Sequence, residues 1–177
     1  MNIAASPEEL FAELDRLQIA HATITHPPVF TVEEAKQHRG PIVGGHTKNL
    51  FLKDRKDRFY LAVTLEDVAV DLKALGPLLG ASGKLSFASP EALRAHLGVE
   101  PGSVTPLALI NDRGRKVQPV FDTAMLAVSP LNFHPLVNTA TTTISSADLL
   151  KFARGIGSEP TCLSFPRRDP GAISLGQ

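Results

Sequence analysis

The stretch His46-Thr47-Lys48-Asn49-Leu50-Phe51-Leu52-Lys53 predicts an interior β-strand. Side chains alternate between the two faces of a strand, so Leu50 and Leu52 point to one face and Phe51 to the other. Apolar residues on both faces are typical of a strand that is covered on each side. Lys48 near its start has two open interpretations: its stem covers apolar surface while the ammonium reaches water, or the ammonium meets an anionic ligand in a cleft.

The residues after this strand predict a hairpin. Asp54 to Asp57 is a charged turn, and Phe59 to Thr64 is the returning strand. The turn region also carries a basic cluster, which is either a solvated turn or a contact for phosphate. The cluster consists of Lys53, Arg55, Lys56 and Arg58.

The residues before the strand predict two helices joined by a rigid connector. Ser6, Pro7 and Glu9 form a helix-start signal, and apolar residues at helical spacing follow as far as Leu17. The next segments are an extended piece at His21 to Thr25, a proline connector at His26 to Phe30, a short helix from Val32 to about Arg39, and a loop at Gly40 to Gly45.

The second half of the chain predicts further helices, strands and a shaped loop. Helices are expected at Asp71 to Leu79 and Ser89 to Leu97, and a last helix that Ser145 or Ser146 caps runs to about Arg154; a Gly/Pro loop is expected at Gly98 to Pro106. A second hairpin is expected between Leu107 to Ile110 and Val117 to Phe121, with further strands at Met125 to Val128 and Thr139 to Ile144.

These elements indicate an α/β (α+β) fold with a mixed, mainly antiparallel sheet or barrel-like core surrounded by helices. Residues 1–157 are expected to form one domain, because 177 residues suffice for a single good core. Residues 158–177 contain three prolines and show no periodicity, so we expect a C-terminal tail there, and the sequence leaves open whether it packs or is mobile.

Composition excludes several classes of protein. Lysine plus arginine and aspartate plus glutamate each total 18, so the net charge is zero and any RNA contact must be local. Cys162 is the only cysteine, which excludes an internal disulfide and any zinc site that needs two thiolates, and it points to a reducing compartment. No apolar run approaches the roughly 18 residues of a membrane span, so we expect a soluble cytoplasmic protein without membrane contact.

The sequence contains none of the common catalytic motifs that we searched for. The six histidines form no HExxH, and no GxSxG, GxxxxGK[ST] or helix-opening GxGxxG occurs. We therefore expect no metal and no cofactor. One lysine, several loop histidines and two rigid Gly/Pro loops suit binding and positioning better than covalent catalysis.

Four segments of the chain together resemble the YbaK/prolyl-tRNA-synthetase-associated editing family. They are the stretch from His26 to Ala35, the stretch from Lys48 to Leu52, the Gly102-Ser103-Val104-Thr105-Pro106 loop, and the stretch from Asn132 to Asn138. The resemblance covers roughly residues 6 to 155. It implies a compact YbaK-like α/β fold and hydrolysis of the ester that joins a wrong amino acid to the 3′ end of proline tRNA.

The resemblance also implies roles for individual residues. Lys48, Gly102 and His134 match the residues expected to be catalytic: Lys48 near the terminal adenosine and its phosphate, Gly102 in the loop whose amides hold the aminoacyl group, and His134 in the amino-acid pocket. The expected substrate-binding residues are His26, Phe30, Thr31, Asn49, Ser103, Val104, Thr105, Pro106 and Asn138. In this family the attacking water is thought to be activated partly by the ribose hydroxyl of the substrate.

The resemblance favours one function and leaves others open. The favoured function is a free-standing hydrolase that deacylates Ala-tRNA(Pro) and sterically excludes proline, with the tRNA(Pro) acceptor end as partner and transient association with prolyl-tRNA synthetase. The alternatives are a Cys-tRNA(Pro) deacylase, a non-catalytic module that binds the tRNA acceptor end, and a hydrolase of small esters.

Overall fold

In a computed structural model of the protein, the described residues are 3–28, 31, 33–34, 36 and 42–169. The strands in these ranges are β1 (Ala22–Thr25), β2 (Gly45–Lys53), β3 (Phe59–Leu65), β4 (Ser86–Phe87), β5 (Val117–Asp122), β6 (Leu131–Phe133), β7 (Ala140–Ile144) and β8 (Thr161–Leu163). The helices are α1 (Pro7–Arg16), α2 (Leu72–Leu78), α3 (Pro90–Leu97), α4 (Thr123–Leu126) and α5 (Ser146–Gly155), with a 3₁₀ helix at Pro106–Asn111.

The eight described strands form one mixed sheet in the order β1-β7-β6-β2-β3-β5-β8, and β4 pairs with β2. Antiparallel pairings join β1 to β7, β2 to β3, β2 to β4 and β6 to β7. Parallel pairings join β2 to β6, β3 to β5 and β5 to β8. The expected mixed, mainly antiparallel sheet with helices outside it is therefore confirmed, as is the first hairpin.

β2 separates two hydrophobic cores, as its sequence predicts. Phe51 belongs to a first core with residues of α1, α3 and α5, and Leu52 is fully buried in a second core beneath α2. Burying a side chain of this size contributes about 1.5–3 kcal/mol. The strand is thus held from both faces.

The predicted helix boundaries follow from local capping. Ser6 and Glu9 form a reciprocal capping box at α1, and Ser145 caps α5 through the backbone N–H of Asp148. α3 ends at Gly98, whose φ of 63° lies in the left-handed region that glycine adopts at low cost. These three helices confirm the sequence signals.

The predicted second hairpin is wrong. Leu107 to Ile110 belongs to the 3₁₀ helix, because Pro106 occupies its first turn and Thr105 Oγ1 accepts the Leu107 N–H at 3.2 Å. Its apolar residues pack into the first core. A short apolar run of this kind fits a buried strand and a buried helical turn equally well. Val117–Asp122 is a strand, but it pairs with β3 and β8.

The predicted strand Met125 to Val128 is also wrong. Asp122 ends β5 and caps the short helix α4 by accepting the Ala124 N–H at 3.2 Å. Met125 is fully buried in that helix. The cap decides the conformation, since an aspartate at this position favours a helix start.

Part of the predicted helix Val32 to Arg39 and of the loop Gly40 to Gly45 lies outside the described residues. Within them, Thr31 Oγ1 accepts the Glu34 N–H at 3.0 Å, which is the predicted cap. Gly44 has a φ of +106°, and a Cβ there would lie 2.6 Å from the Pro130 carbonyl oxygen. Only glycine allows the chain to enter β2 so close to the start of β6.

The segment predicted as a tail packs onto the sheet as far as Asp169. β8 extends the sheet beside β5, and Phe165 is 3% exposed in the second core. In the described part of the chain, no helix has the length and apolar character that a membrane span requires.

Candidate active site

One face of the strands β1, β7, β6 and β2 points away from the first core and carries polar side chains. The parallel register places His46 beside Asn132, and Lys48 is the next β2 residue on that face. We call this surface the polar face. Its members are His26, His46, Lys48, Asn132, His134, Thr141 and Thr143.

Lys48 is a half-buried cation. Its ammonium makes neither a hydrogen bond nor an ion pair with any described residue. Burial lowers the pKa of Lys48, the Arg168 guanidinium lowers it further, and the Asp67 carboxylate opposes these effects. Burial and the Arg168 charge both disfavour the protonated form of Lys48, and an anionic ligand beside Lys48 would offset both effects.

Lys48 lies at a cleft with a volume of about 450 Å³, which we call the Lys48 cleft. Its charged lining consists of Lys48, Lys73, Lys84, Arg168 and a single carboxylate, Asp71. Asp71 Oδ1 already accepts the Ala74 N–H at 3.1 Å as the cap of α2. Since four cations face one engaged carboxylate, the cleft is suited to an anion.

His134 follows β6 and is held by β7. Its Nδ1 lies 3.1 Å from the Ala140 carbonyl oxygen, which can only accept, so Nδ1 carries the hydrogen. Burial lowers the pKa of His134, the Ala140 hydrogen bond raises it, and His26 lowers it. The ring is therefore neutral at pH 7, and its Nε2, which has no described partner, has a free lone pair.

His26 connects the proline connector to the sheet. Its Nδ1 lies 2.8 Å from the Pro27 carbonyl oxygen and its Nε2 lies 2.7 Å from Thr141 Oγ1. The rings of His26 and His134 are 6.4 Å apart. Both nitrogens of His26 are thus engaged within the protein, which suits the positioning of the connector.

Asn132 fixes β6 against β2. Its Nδ2 donates to the carbonyl oxygens of Val43 at 3.1 Å and Gly45 at 3.2 Å, while Oδ1 accepts from Thr143 Oγ1 at 2.6 Å. Asn132 was not among the predicted site residues, although it lies in the same motif as His134. A polar residue at the centre of a buried strand was the available signal, since such a residue needs partners.

Asn49 and the Gly102–Pro106 loop lie on the other side of the sheet. Asn49 alternates with Lys48 along β2, and its Oδ1 is buried without a hydrogen-bond partner in the described structure. Val104 packs against the first core. A buried amide oxygen without a donor is costly, and a ligand donor would satisfy it.

The Gly102–Pro106 loop contains backbone donors that have no partner among the described residues. Ser103 donates to the Glu100 carbonyl oxygen at 3.0 Å, but the N–H groups of Gly102, Val104 and Thr105 donate to no described group. Of the three residues whose N–H groups lack a described partner, Thr105 is buried, and Gly102 and Val104 are half-buried. Most buried backbone N–H groups are paired, so this loop has the donors that an oxyanion requires.

One edge of β2 is unpaired over part of its length in the described structure. β2 pairs with β6 at Gly45 and His46, and with β4 at Leu52 and Lys53. Among the described residues no strand pairs with this edge between those points. The Phe51 carbonyl oxygen accepts the Ala88 N–H at 2.9 Å at this edge, and in an antiparallel ladder the N–H and C=O of Asn49 face the same way.

The structure thus groups Lys48, His26 and His134 on the polar face, and Asn49 with the Gly102–Pro106 loop on the opposite side. The other predicted substrate-binding residues are less informative. Thr31 is exposed, Asn138 is half-buried between β6 and β7, and Phe30 lies outside the described residues. Sequence reasoning missed Arg168, because only the packing of the C-terminal segment brings it to the cleft.

Two of the four cations in the basic cluster of the β2–β3 turn are paired within the turn. Arg58 Nε lies 2.8 Å from Asp54 Oδ2, and Lys53 Nζ lies 3.3 Å from Asp57 Oδ1. This arrangement favours the solvated-turn interpretation over a phosphate contact. Within the ranges given above, no group of three or more His, Cys, Asp or Glu side chains could hold a metal ion.

The fold and the site define a small α/β domain with a cation-lined cleft, suited to an anionic ligand. A model of the aminoacyl-tRNA editing domain family matches residues 26–152, and the chain belongs to this family. The YbaK-like resemblance of the sequence is thereby confirmed.

Known proteins support this membership. Prolyl-tRNA synthetase associated domain-containing protein 1 of Mus musculus is 42% identical over 165 residues, which cover 89% of this chain and 97% of the mouse protein. The prolyl-tRNA editing protein ProX of Acetoanaerobium sticklandii is 39% identical over 152 residues, covering 85% and 92% of the two chains.

A solved structure shows the same fold. It is a candidate trans-editing enzyme for prolyl tRNA synthetase, which superposes with a TM-score of 0.70 at 19% identity. The match covers 93% of this chain and 99% of the other. The expected fold class is confirmed by this likeness.

Proposed function

We propose that this protein is a trans-editing hydrolase that releases a wrongly attached amino acid, alanine in the first place, from tRNA(Pro). The observation that carries the proposal is Lys48: a half-buried cation without a described partner, at a cation-lined cleft and on the same sheet face as neutral His134. An aminoacyl-tRNA end presents a phosphate and an amino group, which fit these two residues. Family membership and the names of the relatives support this assignment.

The reaction is water attack on the aminoacyl ester. Water adds to the carbonyl carbon, the bond between that carbon and the ribose oxygen breaks, and the products are the free amino acid and tRNA with its hydroxyl restored. Such an ester is already activated, so about 8 kcal/mol of barrier reduction suffices. The N–H groups of Gly102, Val104 and Thr105 stabilise the developing oxyanion, at about 3–4 kcal/mol per aligned donor.

The remaining groups bind and orient the substrate. Lys48 binds the phosphate or ribose of the terminal nucleotide. Nε2 of His134 accepts a hydrogen bond from the amino group, and Asn49 Oδ1 provides a second acceptor. The proposal places the ligand at the unpaired stretch of the β2 edge, where it can contact groups on both sides of the sheet.

Selectivity requires the exclusion of proline. A hydrophobic pocket gains only about 1–3 kcal/mol per methylene, so attraction cannot favour the smaller alanyl group over the prolyl group. Rigid walls can exclude the larger group. Pro27 and Pro28 follow His26, and Pro135 is buried next to His134, so prolines flank these two histidines of the polar face.

The proposal places the reaction in the cytoplasm, with transient association with prolyl-tRNA synthetase, and assigns residues 1–157 to the editing domain. Its test is a deacylation panel with alanyl-, cysteinyl-, seryl- and prolyl-tRNA(Pro). We expect fastest release from alanyl-tRNA(Pro) and no release from prolyl-tRNA(Pro) above the uncatalysed rate. Equal release from all four substrates would contradict the steric sieve.

The same panel separates the alternatives. Fastest release of cysteine would indicate a Cys-tRNA(Pro) deacylase. Binding of the charged tRNA without release of any amino acid would indicate a non-catalytic module. Equal activity on a minimal alanyl ester without tRNA would indicate a hydrolase of small esters.

A further inference from the structure

The C-terminal segment beyond the family match is fixed against the second core. The Phe165 N–H donates to Asp122 Oδ1 at 3.2 Å, and Asp122 Oδ2 accepts from Thr64 Oγ1 at 2.6 Å. Asp122 and Thr64 are both buried, and Thr64 pairs with Lys48 across the β2–β3 ladder. The segment is therefore tied to the strands that carry Lys48.

Backbone contacts also fix the residues that follow. The Pro166 carbonyl oxygen accepts the Asp71 N–H at 2.8 Å, and the Arg168 N–H donates to the Ala69 carbonyl oxygen at 2.9 Å. Arg167 forms a β-bridge with Val70. Three consecutive residues are thus held beside the start of α2, at one wall of the Lys48 cleft.

This arrangement brings a second cation to Lys48. Arg168 lines the cleft, and its guanidinium pairs with no described carboxylate. It is close enough to lower the pKa of Lys48. Two neighbouring cations repel each other unless an anion lies between them, and the only carboxylate in the cleft lining is engaged as a helix cap.

The cleft also has an aromatic rim. Phe87 lines it and is 63% exposed, although large apolar side chains are normally buried. Exposed aromatic residues beside cations are typical of sites that bind single-stranded nucleic acid, because bases stack on the rings while the cations contact phosphates. A nucleic acid strand fits this combination better than a small free anion.

We propose that Arg168 is a phosphate-binding residue of the same site, which contacts a phosphate of the single-stranded 3′ end of the bound RNA beside Lys48. A guanidinium can bind a phosphate through two parallel N–H···O bonds, a geometry that an ammonium lacks. The C-terminal segment is thus part of the binding site. The inference rests on the proposed function and concerns binding alone.

The test compares Arg168→Gln with Arg167→Gln, a neighbouring variant with the same loss of charge whose side chain does not line the cleft. The probe is a stem-loop RNA that carries no amino acid and contains the acceptor stem and single-stranded 3′ end of tRNA(Pro). We expect Arg168→Gln to raise its Kd about 10-fold and to reduce the slope of log K against log salt by about 0.7, the value for one phosphate contact in a single strand. Arg167→Gln should change neither quantity by a comparable amount.

An unchanged Kd and salt slope for Arg168→Gln would overturn the inference, and so would an equal effect of Arg167→Gln or no binding of the probe to the wild type. Thermal denaturation of both variants checks that the segment stays in place, and Arg168→Lys should recover part of the affinity. Because the probe carries no amino acid, the result is independent of hydrolysis. Binding that depends on Arg168 without any deacylation would disprove the proposed function and leave this inference standing.

Discussion

Lys48 and His134 present complementary groups on one face of the sheet. The lysine offers a cation, and the neutral histidine offers a lone pair, because its Nδ1 hydrogen is directed at the Ala140 carbonyl oxygen. In the proposed function, the cation of Lys48 binds the phosphate of the aminoacyl-tRNA end, and the lone pair of His134 accepts a hydrogen bond from its amino group. The sequence predicted both residues through the family resemblance, whereas the strand pattern alone left two interpretations of Lys48 open.

The protonation state of His134 predicts a pH dependence of activity. The folded pKa of His134 is below its ordinary value of 6.5, since burial disfavours the imidazolium. As pH falls through this folded pKa, the lone pair of Nε2 is lost. We expect kcat/KM for alanyl-tRNA(Pro), corrected for uncatalysed hydrolysis, to decrease on the acidic side with a midpoint below pH 6.5.

His134→Asn supplies the control for this profile. It should lower kcat/KM and remove the acidic limb. A limb centred above pH 6.5 in the wild type, or one retained in the variant, would show that another group titrates.

At the scale of elements, the β2–β3 turn depends on Asp54. Burial raises the pKa of Asp54, but hydrogen bonds from the backbone N–H groups of Ser82, Arg58 and Lys56 and from the Arg58 side chain outweigh it. The pKa of Asp54 is consequently far below the ordinary 3.8. The carboxylate stabilises the hairpin that carries Lys48.

Asp54→Asn is expected to lower the urea midpoint at pH 7. Because the folded pKa is depressed, the stabilisation by Asp54 is fully present above pH 3.8 and is lost as pH falls from there towards the folded pKa. The difference between variant and wild type should therefore shrink below pH 3.8. Asp57→Asn, at an exposed position of the same turn, should have little effect, and an equal loss would contradict the role of Asp54.

Elements with explicit end signals could be predicted from sequence, and short apolar runs could not. The caps at Ser6, Ser89 and Ser145 fixed three helices, and the charged turn fixed the β2–β3 hairpin. The runs after Thr105 and Asp122 were misread as strands. In both cases a side chain that accepts a backbone N–H starts a helical turn, and the buried run that follows has no usable period.

At the scale of the whole molecule, the C-terminal segment closes the second core and one wall of the cleft. No local pattern in Ser158 to Asp169 predicts this, because β8 pairs in parallel with a strand about forty residues earlier in the chain. Motifs could not predict that Arg168 lines the cleft, because its position also depends on the packing of this segment. On the polar face, by contrast, His26, Lys48 and His134 lie in the segments that resemble the family, whereas His46, Thr141 and Thr143 lie outside them.

Phe165→Ala should destabilise the protein by about 3–5 kcal/mol, because Phe165 is 3% exposed and its removal leaves a cavity in the second core. Urea denaturation of the full chain measures this. The matched control is Phe87→Ala, whose side chain is 63% exposed and should change stability by no more than about 0.5 kcal/mol. Similar small values for both would mean that the segment does not close the core.

The most direct test of the central claim, that Lys48 binds the terminal nucleotide of the aminoacyl-tRNA while its ester is hydrolysed, is kcat/KM for deacylation of alanyl-tRNA(Pro) by Lys48→Ala. The control is Lys53→Ala, a lysine of the same strand on the opposite face that is paired with Asp57 at 3.3 Å. A charge-assisted contact contributes about 1.5–3 kcal/mol, so we predict a loss of about 10- to 100-fold for Lys48→Ala with an unchanged urea midpoint, and near-wild-type activity for Lys53→Ala. Near-wild-type activity of a folded Lys48→Ala would contradict the account.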